Sequence, residues 1–230
     1  MINLNSTKIS EYPFPHFCIT PVFDLDVYSN LIAEFPKEDY WKTLPNSFQD
    51  GRRRIKCNTK EHQDFMADRP TWIKLDEFLM SDVFTNDIIE IYRCTSAFFD
   101  AKIKNLKRNT LNNEPTGHDK TRRIASFIEK AASWFGNKNK LYVDYDISNS
   151  GIGYWNAAHA DRNHRVAIFL IFLCDQSEEQ ITGGELVLYQ ETEKAKKSNG
   201  VDLRENRSPE GELIEPFATY SLKHNTGVSF

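Results

Sequence analysis

The sequence predicts an α+β chain in which N-terminal helices support a double-stranded β-helix, a jelly-roll or cupin-like barrel that is incomplete within the 230 residues. Three observations carry that expectation. Apolar residues recur at helical spacing between residues 24 and 135, whereas strand-like alternation takes over at Lys140. Residues 166–174 form an unbroken apolar run rich in β-branched and aromatic side chains, too short to cross a membrane and suited to a strand buried on both faces. The chain accordingly divides at 139/140, with an extended segment and helical support region over 1–139 and a partial barrel over 140–230, together one structural domain.

In chain order, residues 12–23 are aromatic and punctuated by Pro13, Pro15 and Pro21, which lack the backbone donors of a central strand. An edge strand or an extended packing segment is expected there, with His16 packed among Phe and Pro. Asp24 or Asp26 caps a helix running to about Phe35, with Val27, Leu31 and Phe35 on one face, and Pro36 stops it. Residues 37–68 carry little periodic signal and are open to a hairpin or a substrate loop. Pro70 begins a helix to about Met80, at the first turn where proline is tolerated. Ser81 or Asp82 caps a longer helix to about Lys104, and a third covers 120–135 and ends at Gly136. Their aromatic stripes are core.

Residues 140–147 alternate and place Leu141, Val143, Tyr145 and Ile147 on one face of a strand, after which 149–153 turn. A strand over 185–189 follows the apolar run. The charged stretch 191–211 reads as an insertion between barrel strands, suited to a lid. Two short strands, 217–222 and 226–230, flank a turn at 223–225.

Composition narrows the function classes. Hydrophobic residues make up 40% and include 16 Phe, which argues for a packed core and against a disordered chain. The net charge of −4 provides no basic field for nonspecific nucleic-acid binding, so no nucleic acid is expected as a partner. The basic runs Arg52-Arg53-Arg54 and 194–197 are short and flanked by acids; they suit a solvated surface, and the arginines alternatively suit an acidic substrate. Cys18, Cys57, Cys94 and Cys174 form no C-x-x-C, and the N-terminus has neither a basic leader nor an apolar core. A reducing cytoplasmic location and no membrane association are expected.

The chemistry concentrates in Tyr154-Trp155-Asn156-Ala157-Ala158-His159-Ala160-Asp161. In a strand alternate side chains share a face, so His159 and Asp161 project together with Cα atoms about 6.6 Å apart. An imidazole and a carboxylate so placed grip one divalent metal, and a second His completes a 2-His-1-carboxylate facial triad with open coordination positions. A bare H-x-D equally fits a surface His beside a turn Asp. The order of H-x-D, apolar strand, polar loop, Gly183-Gly184-Glu185-Leu186 and strand, however, resembles the iron(II)- and 2-oxoglutarate-dependent oxygenases, in particular their prolyl-hydroxylase-like branch. The likeness covers residues 140–230; the Pro13-Phe14-Pro15-His16-Phe17 lead-in and the helix ending Phe35-Pro36 resemble that family more loosely.

The resemblance implies iron(II) held by His159 and Asp161, 2-oxoglutarate as cosubstrate, dioxygen as oxidant, and an unidentified small-molecule or peptide substrate. Halogenating oxygenases lack the carboxylate that Asp161 supplies, so hydroxylation or a related oxidation is implied. Tyr145 stands loosely where related enzymes place a tyrosine on the distal carboxylate of the cosubstrate; core packing is its other role. The family also has a distal His after the strand that begins here at Thr226, and an Arg or Lys beyond it. Both are expected past Phe230, which makes the chain a C-terminally truncated barrel that binds iron poorly. In the alternative, His224 is the third ligand and Lys223 or Arg165 anchors the cosubstrate, with His164 solvated or packed behind the ligands. Two other classes compete: a non-catalytic jelly-roll binding module with a vestigial metal site, and a zinc hydrolase using the same pair.

Overall fold

The computed structural model describes residues 2, 4, 7–44, 52–93, 95, 107–108, 140–141, 143–154, 156, 158–159, 167–194 and 213–230. The helix expected over 120–135, the distal part of the helix expected to reach Lys104 and most of the insertion at 191–211 lie outside the described residues, as do Asp161, His164 and Arg165. Contacts gather the chain in two compact units, one over Asp26–Gly153 and one made of Ile2–Leu25 with Tyr154–Phe230. This division differs from the one expected at 139/140. The reason is pairing across sequence: a strand near Gly153 finds its partner among the helices, and a strand near the N-terminus finds its partner at the C-terminus.

In the first unit α1 (Leu25–Ala33) ends just before Phe35 and Pro36, as its apolar stripe and the proline predict. The described parts of 37–68 hold more regular structure than the sequence suggests. They contain α2 (Glu38–Thr43), β2 (Arg52–Lys56) and α3 (Lys60–Met66), the last capped by the Thr59 hydroxyl accepting from the His62 backbone N–H. Helices this short show too few turns for a period to emerge. The next helices, α4 (Pro70–Leu79) and α5 (Asp82–Arg93), start where Pro70 and Asp82 predict.

These helices bury an aromatic core. Trp41, Phe65 and Trp72 are almost fully enclosed. Phe65 meets Trp72 edge-on at 5.4 Å between ring centroids, and Phe35 lies against both tryptophans. Each buried indole donates to a backbone carbonyl, Trp41 to Pro36 and Trp72 to Leu31, so neither N–H is left unpaired. Arg69 at the N-cap of α4 supplies no side-chain cap, and Glu34 from the end of α1 takes over. Its carboxylate accepts from the Thr71 N–H at 3.0 Å and the Thr71 hydroxyl at 2.6 Å, placing negative charge at the positive end of the helix.

Strand β2 pairs antiparallel with β5 (Asp146–Ser150), from Arg52 opposite Ser150 to Lys56 opposite Asp146. Ile55 and Ile147 face each other and are buried. The continuous strand expected over 140–147 is not formed: the chain has a two-residue β4 (Lys140–Leu141), parallel to β3 (Lys107–Arg108), and re-enters strand only at Asp146. The turn expected at 149–153 begins correspondingly later.

In the second unit β9 (Thr226–Ser229) is the centre of a three-stranded antiparallel sheet, with β1 (Phe17–Ile19) on one side and β6 (Phe169–Phe172) on the other. The proline-flanked β1 is an edge strand, as expected. The apolar run expected to be a long doubly buried strand forms only four residues of strand, each part-buried, at an edge of this sheet among the described residues. The buried strand is β9, all four of whose residues are enclosed. Its Gly227 allows the sheet face to close: a Cβ there would stand 2.5 Å from Phe169 and 2.9 Å from Val22. Asn225, in left-handed conformation at φ 56°, joins the turn to the N-terminal segment. Its side chain accepts from the Phe23 N–H and donates to the Phe23 carbonyl, both at 2.8 Å.

Strand β7 (Leu186–Glu191) pairs antiparallel with β8 (Ile214–Tyr220) in a separate sheet. The register shifts between Leu188 and Tyr189, beside Pro216, which has no N–H to offer the ladder. The four C-terminal strands are therefore nested, β7 with β8 inside and β6 with β9 outside, and the two pairs belong to different sheets. The architecture is mixed helix and mainly antiparallel sheet, and among the described residues the strands do not close into a barrel.

Candidate functional site

The expected ligand segment follows Gly153, whose φ of 82° turns the chain. Tyr154, Asn156, Ala158 and His159 carry no strand, so the strand geometry expected to align His159 with Asp161 is not formed at the described positions. His159 is exposed, and Asp161 lies outside the described residues. As a donor set, one imidazole and one carboxylate suit iron(II) and other first-row divalent ions. Among the described residues no three His, Cys, Asp or Glu side chains converge as a metal site. His224, the substitute ligand considered above, places Nε2 at 3.3 Å from the Glu178 carboxylate. Asp175 nearby is held down at about 2, first by the Ser177 hydroxyl and then by backbone N–H groups and the His224 charge.

Tyr145 belongs to the first unit, and its hydroxyl is engaged there. It donates to Asp76 Oδ1 at 2.5 Å and lies 2.7 Å from His62 Nε2. A hydroxyl has one proton, so a Tyr145 that donates to Asp76 must accept from His62, which places the imidazole proton on Nε2. His62 Nε2 is itself 3.7 Å from Asp76. Burial lowers the His62 pKa against the opposing pull of Asp76, and burial, then the Asp76 bond, raises that of Tyr145 far above the phenol range. A neutral His62 and a neutral Tyr145 are the states the fold selects.

Cys57 extends this group. It continues the β2–β5 ladder, donating its N–H to the Tyr145 carbonyl at 3.0 Å. Its thiol donates to Asp144 at 3.3 Å and accepts from the Tyr145 N–H. Desolvation, only partly offset by that N–H, pushes the thiol up to about 12, so it is held as an unreactive S–H. The Cys57, His62, Asp76 and Tyr145 set thus joins β2, α3, α4 and the entry to β5 through polar contacts, an arrangement suited to positioning and not to nucleophilic attack. The sequence indicated neither His62 nor Asp76. They are brought to Tyr145 across separations of 83 and 69 residues, for which local spacing carries no signal.

The arginine run splits by strand alternation. Arg52 and Arg54 both bond Asp146, at 2.9 and 3.3 Å, and Arg52 also donates to the Ser148 hydroxyl. Lys56 stands 3.7 Å from Asp144. These cations face partners within the chain. Arg53, between them, points to the opposite side and lines a cleft of about 160 Å³ with Glu38, Asn149 and Gly151. No family model, curated protein or solved structure matches the chain.

Proposed function

We propose that the chain is a non-haem iron(II), 2-oxoglutarate-dependent dioxygenase that hydroxylates a small-molecule or peptide substrate. The observation that carries this reading is the nested pairing of β6 with β9 and β7 with β8 in two different sheets. A jelly roll is a long antiparallel ribbon folded over so that its outer and inner pairs fall in opposite sheets, and four strands nested in this way are compatible with one arm of such a ribbon. The H-x-D pair lies N-terminal to the first of these strands in sequence, and Gly183-Gly184-Glu185-Leu186 leads into the second. Both glycines have positive φ, which a tight entry to β7 requires.

In this reading His159 and Asp161 hold the metal, with His224 the third candidate within the sequence. Bound iron(II) with 2-oxoglutarate and dioxygen supplies the oxidising chemistry; the chain supplies the open coordination face and the orientation of substrate. Tyr145 keeps its place on His62 and Asp76 and serves the cosubstrate only if that network opens. Cys18 and Cys174 as thiols accord with a reducing cytoplasm. No helix among the described residues is long and apolar enough to cross a membrane.

Anaerobic titration with iron(II) and 2-oxoglutarate, followed by succinate formation on admitting oxygen, tests the proposal. Whatever succinate forms should require all three, and H159A and D161A should each lower metal affinity by about 10-fold or more. Unchanged metal affinity in both variants sinks the reading. Substrate or ligand binding that survives both substitutions would identify the binding module instead, and oxygen-independent turnover abolished by zinc chelation would identify a hydrolase.

A further inference from the structure

Arg53 differs from every other charged residue on its strand. In the β2–β5 pair Arg52, Arg54 and Lys56 face Asp146 and Asp144 on one side. Arg53 emerges on the other, directly opposite Asn149, so the guanidinium and the amide rise side by side from adjacent strands. Glu38, the first residue of α2, and Gly151, just beyond β5, also line the cleft. Among the described residues the side chains of Arg53, Glu38 and Asn149 make no hydrogen bond or ion pair, including with each other. A cation and an anion lining one small cleft ordinarily collapse into an ion pair. Here the two stand on separate elements without pairing, and a neutral amide stands beside the cation.

We infer that this cleft binds a small zwitterion of the α-amino acid class, its carboxylate on the Arg53 fork and its ammonium on Glu38. Charge selects this class. A simple anion would satisfy Arg53 and face the like charge of Glu38, and a simple cation would meet the converse. A molecule carrying both charges a few bonds apart pairs each with its complement. The planar guanidinium grips a carboxylate with two parallel bonds, and Asn149 offers a further donor and acceptor beside it. Size agrees: about 160 Å³ lies under the roughly 300 Å³ at which drug-sized pockets begin. Gly151 leaves the rim without a side chain. The site uses none of His159, Asp161 or Tyr145, so it stands or falls independently of the oxygenase reading.

Calorimetric or saturation-transfer titration of the full chain tests it, with L-alanine, acetate and methylammonium as probes. On the wild-type protein L-alanine should bind saturably in the millimolar range, about tenfold more tightly than either single-charge probe. R53Q should weaken L-alanine about tenfold and remove acetate binding; E38Q should weaken L-alanine similarly and strengthen acetate. Thermal melting verifies that both variants remain folded, and the wild-type probe series decides the matter alone if either does not. Absence of saturable L-alanine binding, acetate binding as tight as L-alanine, or equal L-alanine affinity in folded variants and wild type overturns the proposal.

Discussion

The two units of this protein solve the burial of polar groups in opposite ways. In the Asp26–Gly153 unit side chains do it: Asp76 accepts from Tyr145, Tyr145 lies on His62, and Glu34 caps α4 from another helix. In the other unit the backbone does it. Strand β9 is satisfied on both edges by β1 and β6, and Asn225 acts by pairing with the backbone of Phe23. A side-chain network depends on a few titratable groups and responds to pH, whereas a backbone ladder depends on close approach and responds to volume. The units should therefore fail for different reasons.

The largest effect should come from volume. Valine at position 227 would drive a branched side chain into Phe169 and Val22 and should cost about 3 kcal/mol in urea denaturation. Amide exchange should accelerate in β9 and its neighbours. A G227V protein as stable as wild type would mean that the sheet opens freely, and the contrast between the units would lose its basis. Next in size is Tyr145→Phe, which removes the donor to Asp76 and the acceptor for His62. It should cost about 2 kcal/mol, since a hydrogen bond to a charged group is lost within a half-buried site.

The smallest effect is the most specific to the side-chain network. His62 is less basic in the fold than in the unfolded chain, so the unfolded state binds the proton first as pH falls. Its contribution is complete above the unfolded value of about 6.5 and is lost as pH falls from there through the lower folded value. His62→Gln should flatten that part of the stability profile measured by denaturant melts. A slope unchanged by the substitution would place the pH sensitivity elsewhere.

Legibility in the sequence follows the same divide. The short strands β7, β8 and β9, the turn at 223–225, the edge strand β1 and the starts of α4 and α5 could all be read, because proline, glycine, capping residues and period act over a few residues. His16 is packed as expected, against Phe14 and Phe217. The apolar run at 166–174 misled because hydrophobicity marks a strand without saying whether it lies at the centre or the edge; β9, with a glycine and two hydroxyl residues, holds the centre instead. Residues 37–68 were silent for a different reason. Strand β2 exists only because β5, some ninety positions later, supplies its hydrogen bonds.

For the candidate sites the contrast is sharper. His159-x-Asp161 is a local pattern, and its residue types alone define a metal-suited donor pair. The partners of Tyr145, the division of the arginine run into two paired cations and one facing a cleft, and the meeting of Glu38 with Asn149 are decided by tertiary structure. By itself the sequence determined helix starts, strand periods, turns and the chemical identity of each group, since these depend on neighbours a few residues away. Only the folded chain decided which strand is buried and which charged groups meet, because those outcomes depend on surfaces brought together across the whole of each unit.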